Sequence, residues 1–132
     1  MRIKALIIED EPSATIHLTS LLEKHLPQID VLGSAISLES GADLITELEP
    51  ELIFLDIELP GRSGLQIFDV FPKRGFDVIF TTGFHHHSVQ AFRLAALDYL
   101  TKPLVVDEVI NAVDKHIKNV QLINQAARFE VL

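Results

Sequence analysis

The chain has no cysteine and no tryptophan, and only one tyrosine and one methionine among its 132 residues. Without thiols it holds no disulfide, runs no cysteine chemistry and builds no Cys-ligated metal site, which fits a reducing compartment. Basic residues are scarce too: 11 Lys and Arg stand against 19 Asp and Glu, for a formal charge of −8. Phosphate recognition needs clustered cations, so this balance argues against direct nucleic-acid binding, though a DNA-binding domain attached elsewhere remains compatible with it. Long apolar runs are missing as well. No stretch reaches the length of a membrane span, and the N-terminal run meets Glu9 and Asp10 too early for a secretory core. The expectation is a cytoplasmic domain away from the membrane. The six glycines and six prolines mark boundaries rather than tracts, and no internal repeat is present.

What is present is enough for one core-forming domain, with 48% hydrophobic residues. Short apolar runs alternate with longer segments of helical periodicity, the signature of βα units around a parallel sheet. Strands are expected at Ile3–Ile8, Ile29–Ile36, Leu52–Asp56, Phe76–Thr82 and Leu97–Leu100, with the second at an edge because it carries Gly33. A first helix starts at Pro12 with Ile16, Leu18, Leu21, Leu22 and Leu26 as its apolar face, and Pro27 stops it. Leu38–Leu48 follows, then a short helix bearing Leu65, Phe68 and Phe71, a fourth over Ser88–Ala96, and a last one from about Val105. The last carries Val109, Val113, Ile117 and Val120 as a stripe, extended as a rough heptad to Ala127 and interrupted by Asn124. That extension reads either as a helix leaving toward a partner or as a frayed end with a disordered tail.

Polar groups close three of the apolar runs: Glu9-Asp10-Glu11, Asp56 and Thr81-Thr82. In an open parallel sheet, ligands gather beyond the carboxyl ends of the strands, where Lys102 would also fall. Clustered carboxylates repel and call for a cation. With oxygen ligands and no cysteine, Mg²⁺ is the natural one, with Asp10 and Asp56 as direct ligands and Glu9 acting through water. A metal-bound aspartate beside a lysine and a hydroxyl suits phosphoryl transfer: Asp56 attacks phosphorus, Lys102 neutralises charge, and Thr82 donates a hydrogen bond. Taken singly, Asp56 reads as a cap or loop residue, the threonines as β-branched strand residues and Tyr99 as packing. Their common register changes that. A cis bond before Pro103 is compatible with the sequence.

The stretches Ile7-Ile8-Glu9-Asp10-Glu11-Pro12, Leu55-Asp56-Ile57-Glu58-Leu59-Pro60-Gly61, Ile79-Phe80-Thr81-Thr82-Gly83 and Asp98-Tyr99-Leu100-Thr101-Lys102-Pro103 together resemble the receiver domain of two-component response regulators. The resemblance covers essentially residues 1–120, leaving 121–132 as a helix extension or linker, compatible either with a stand-alone receiver or with an output domain outside this chain. The run Ala96 to Leu104 is most like receivers of LytTR-type transcriptional regulators. The resemblance implies a doubly wound, flavodoxin-like (βα)₅ fold with strand order 2-1-3-4-5. It implies Mg²⁺ at Asp10, Asp56 and the backbone carbonyl of Glu58, and phosphorylation of Asp56 by a sensor histidine kinase. Thr82 and Tyr99 would be the switch residues, and the fourth helix, fifth strand and fifth helix the altered surface, open to homodimerisation. Such a domain is a phosphoacceptor with self-phosphotransfer and autodephosphorylation, not a turnover enzyme. Glu9 stands where aspartate is commonest and Gly83 where alanine is usual, the latter loosening the loop that carries the switch.

Rival readings exist. Asp56-Ile57-Glu58 superficially resembles the Asp-x-Asp nucleophile motif of haloacid dehalogenase-type phosphatases, but the second acid is glutamate and the metal pair precedes the nucleophile. A pseudo-receiver, an interaction module never phosphorylated in the cell, is the second rival. The presence of the acidic pair, acceptor, threonine and lysine together weighs against it, and failure to bind Mg²⁺ would weigh for it. A flavodoxin-like nucleotide binder would need a glycine-rich phosphate loop. His85-His86-His87 invites a metal or pH-sensing role, yet consecutive side chains diverge, and a solvated loop is the simpler reading.

Overall fold

The computed structural model describes residues 2–83 and 96–131, the last four of these as backbone only. The elements in chain order are β1 (Ile3–Ile8), α1 (Pro12–His25), β2 (Ile29–Ala35), α2 (Leu38–Leu48), β3 (Leu52–Asp56), a 3₁₀ turn (Gly64–Gln66), α3 (Ile67–Val70), β4 (Asp77–Thr82), β5 (Asp98–Thr101) and a C-terminal helix (Val106–Val131). The strands form one parallel sheet of order β2-β1-β3-β4-β5. This is the expected doubly wound arrangement. The expected fourth helix, apart from Ala96, and His85, His86 and His87 lie outside the described residues.

The period-2 alternation of each strand feeds two apolar layers. Ile3, Ala5, Ile7, Leu52, Phe54 and Ile79 face Leu18, Leu21 and Leu22 of α1 and Val109, Ala112 and Val113 of the C-terminal helix. Leu6, Ile8, Ile53, Leu55, Val78 and Phe80 face Leu38 and Ile45 of α2 and Ile67 of α3. β3 is buried throughout, as a central parallel strand covered on both faces should be.

β2 is one edge of the sheet, and its irregularity lies where Gly33 marked it. Ala5 pairs with Val31 but Leu6 pairs with Gly33, so Leu32 is an extra residue. Val31 packs on the α1 layer and Leu32 on the α2 layer.

Local chemistry sets the helix ends. Pro12 occupies the first turn of α1, where a missing N–H costs nothing, and Lys24 and His25 meet the negative end of its dipole. Ser37 and Ser40 form a reciprocal capping box at α2, with Ser40 N donating to Ser37 Oγ at 3.1 Å.

Five expectations are corrected, the first being that β2 ends at Ala35 and leaves Ile36 exposed instead of running through it. Ile16 is 66% exposed rather than part of the buried face of α1. Phe71 caps α3 instead of lying within it, because the segment is a single short turn after the 3₁₀ turn. β4 begins at Asp77 rather than Phe76, and β5 runs from Asp98 to Thr101, one residue later than read. The C-terminal helix runs without a break from Val106 to Val131. No helix among the described residues is long and apolar enough to cross a membrane.

Candidate functional site

The sheet order itself assembles the acidic site. β1 and β3 are neighbours, with Ile8 opposite Leu55, so Glu9 and Asp10 leave β1 beside Asp56 at the end of β3. One carboxylate oxygen from each of the three residues lies within 4.8 Å of the others. Glu9 and Asp56 are buried and Asp10 is half-buried. Lys102, just past β5, answers this charge: its Nζ lies 2.6 Å from Glu9 Oε1 and 3.1 Å from Asp56 Oδ2.

Burial works against the Lys102 charge, but its hydrogen bonds to Glu9 and Asp56 and the charges of both outweigh it. Its pKa is held above the usual lysine value, so it is an ammonium at any working pH. One cation among three carboxylates leaves room for more positive charge. The donors are all oxygen and too few to surround an ion alone, which fits a hard divalent cation that keeps several waters.

The backbone holds these groups still. Asp56 Oδ1 accepts a hydrogen bond from Glu58 N at 2.9 Å, and Glu9 Oε2 accepts one from Glu11 N at 3.1 Å. Lys102 N donates to Thr82 O at 2.7 Å, and the Lys102–Pro103 bond is cis. Beneath Asp56, Gly64 N donates to Ile57 O at 2.9 Å. A Cβ at Gly64 would stand 2.2 Å from the carbonyl oxygen of Asp56, which is backbone and cannot rotate away. Gly64→Ala should therefore cost about 1–3 kcal/mol in urea unfolding by forcing the loop off Asp56. A variant as stable as the native chain would contradict this packing.

Thr82 and Thr81 are both buried. Thr82 Oγ1 donates to Glu58 Oε2 at 2.5 Å, and Gly83 N donates to Glu58 Oε1 at 3.0 Å. Tyr99 is half-buried on β5 and packs on the α2 layer. The structure thus gathers Glu9, Asp10, Asp56 and Lys102 into one cluster, with Thr82 tied to it through Glu58.

Two residues escaped the sequence reading. The sequence motif gives a role only to the Glu58 backbone carbonyl, and the one signal for its side chain is an acid two positions after the acceptor. His116 lies in the stripe of the C-terminal helix but was passed over as polar. It is 2% exposed, with Nδ1 2.7 Å from Asp77 Oδ2 and Nε2 3.1 Å from Glu51 Oε2. Both partners sit at the starts of β4 and β3, so this cluster occupies the pole of the sheet opposite Asp56.

The response regulator receiver domain family matches residues 5–114. An uncharacterized response regulatory protein of Vibrio vulnificus is 40% identical over 101 residues, covering 76% of this chain and 41% of that protein. The sensory transduction protein LytT of Bacillus cereus is 29% identical over 121 residues, covering 90% of this chain and 49% of that one. The chain spans less than half the length of these relatives. Among solved structures, the signal receiver domain of a Vibrio parahaemolyticus protein superposes with a TM-score of 0.82 at 25% identity, over 96% of this chain and 98% of that one. The chain belongs to the response regulator receiver domains of two-component systems.

Proposed function

We propose that this domain is a phosphoacceptor switch: Asp56 takes a phosphoryl group from the phosphohistidine of a sensor histidine kinase, with Mg²⁺ required. The observation that carries the reading is the contact of the Lys102 ammonium with Asp56 and Glu9 inside a three-carboxylate cluster. An oxygen of Asp56 attacks phosphorus, the P–N bond breaks, and the imidazole leaves. Lys102 follows the negative charge from the carboxylate to the phosphoryl oxygens. Asp10, Asp56 and the Glu58 carbonyl would hold Mg²⁺ directly, with Glu9 acting through water. The ion supplies neutralisation of the phosphoryl charge.

Thr82 then turns its hydroxyl toward the phosphoryl group, and Tyr99 follows it inward. The added charge biases a two-state element through hydrogen bonding, altering the face of β5 and the C-terminal helix. That face would control an output, transcription, through a domain outside this chain. The domain turns over no substrate beyond its own phosphoryl group. The phosphatase reading is disfavoured because both Glu58 carboxylate oxygens already accept hydrogen bonds from the end of β4.

Incubation with acetyl phosphate and Mg²⁺ should add one phosphoryl mass to the intact chain, and chelation of the metal should prevent it. A chain left unmodified with both reagents present would remove the reading.

A further inference from the structure

We propose that Glu58 is a positioning residue that holds the domain in its resting state, by occupying the donors that a phosphoryl group on Asp56 needs. The inference rests on the phosphoacceptor reading and deepens it.

Glu58 lies two residues after Asp56, in the loop leaving β3. Its backbone faces the acceptor, with the N–H donating to Asp56 Oδ1 at 2.9 Å. Its side chain spans to the end of β4 and is bound at both oxygens, by the Thr82 hydroxyl at 2.5 Å and by Gly83 N at 3.0 Å. A hydroxyl and the next backbone amide converging on one anion form a small oxyanion site. A carboxylate of the chain itself already fills it.

A hydroxyl carries one hydrogen, and so does a backbone amide. Thr82 therefore serves Glu58 or the phosphoryl group, not both. The bond to be exchanged is charge-assisted, the stronger kind. The exchange takes that donor from Glu58, whose half-buried carboxylate is only partly open to replacement by water. Once displaced, the Glu58 carboxylate also repels the incoming phosphoryl charge across a short loop. Both effects lower the population of the activated arrangement and make phosphorylation work against an internal competitor. Substitution of the side chain leaves the Glu58 carbonyl in place, so the competition is separable from metal binding.

The test is titration of the chain with beryllium trifluoride, a phosphoryl mimic, in the presence of Mg²⁺, followed by fluorine NMR. Glu58→Ala should tighten the apparent affinity roughly tenfold to a hundredfold, the worth of one charge-assisted hydrogen bond. Glu58→Gln, which keeps an acceptor but no charge, should fall between. In a Thr82→Ala background the gain should shrink, since the contested hydroxyl is gone. A merely structural Glu58 would show no such dependence on the Thr82 hydroxyl.

Melting curves identify folded variants, and Mg²⁺ affinity is titrated separately without fluoride. Equal or weaker beryllium trifluoride binding by both Glu58 variants would overturn the proposal, as would a gain matched by an equal rise in Mg²⁺ affinity. A native chain that binds no mimic at all would instead overturn the phosphoacceptor reading.

Discussion

Asp56→Asn will accept no phosphoryl group from acetyl phosphate, while the fold survives. An amide is no nucleophile toward phosphorus at neutral pH, so the covalent step ends with the carboxylate. The surroundings tolerate the change. The side-chain oxygen of asparagine still accepts from Glu58 N, which bonds Asp56 Oδ1 at 2.9 Å, and Lys102 keeps Glu9 at 2.6 Å. What is lost is the second contact of Lys102, where an amide nitrogen would place donor against donor, offset by relief of repulsion among three carboxylates. Stability without metal should stay within about 1 kcal/mol of the native chain. Divalent-cation affinity should fall at least tenfold, about the least expected for removing a direct ligand. Intact-mass spectrometry and a metal titration read both outcomes; label persisting at the native level would move the acceptor elsewhere.

The second large effect lies at the other pole of the sheet. Both ring nitrogens of His116 face carboxylate oxygens, and a neutral imidazole has only one N–H, so the fully bonded form is the cation. Burial opposes that charge, but the hydrogen bonds and charges of Asp77 and Glu51 outweigh it and raise the His116 pKa above 6.5. Asn119 Nδ2 adds bonds to both Asp77 oxygens at 3.1 and 3.2 Å. His116→Ala should cost about 2–4 kcal/mol, since it strands Asp77 and Glu51 and opens a cavity; their partial exposure keeps the figure below that of a wholly dry pair.

The pH dependence has a definite sign. A group that binds its proton more tightly when folded stabilises the fold fully below its unfolded value near 6.5, and that contribution fades as pH rises through the folded value. The gap between native and His116→Ala melting curves should therefore narrow above pH 6.5. His116→Gln, one donor without a titrating ring, should sit between them and keep a constant offset from His116→Ala. Native and His116→Ala curves running parallel through that range would rule the mechanism out.

The sequence made the sheet legible because each strand is a near-continuous apolar run whose last residue changes chemistry. Order and register then place Glu9, Asp10 and Asp56 together with no further information. Helix faces were harder. Ile16 entered the buried stripe of α1 by its hydrophobicity alone, although two positions from Leu18 is about 200° around the helix, on the opposite side. His116 failed for the reverse reason: it keeps the stripe's spacing after Val109, Ala112 and Val113, but a polar residue is read as exposed unless its partners are known. Those partners, Asp77 and Glu51, are distant in sequence, and no local pattern announces them. The side chain of Glu58 was hidden in the same way, since Thr82 and Gly83 meet it only after β3 and β4 pair.

The continuous C-terminal helix has a mechanical meaning. It is buried against the sheet at Val109, Ala112, Val113 and His116, and residues 121–127 stand in solvent. From His116 to Val131 the rod is about 22 Å long at 1.5 Å per residue. A tilt of about 10° at its buried root would carry the far end through about 4 Å. Any tilt of its buried root would make the helix a lever arm with its fulcrum in the core, turning a small displacement there into a stroke of atomic width at the tip.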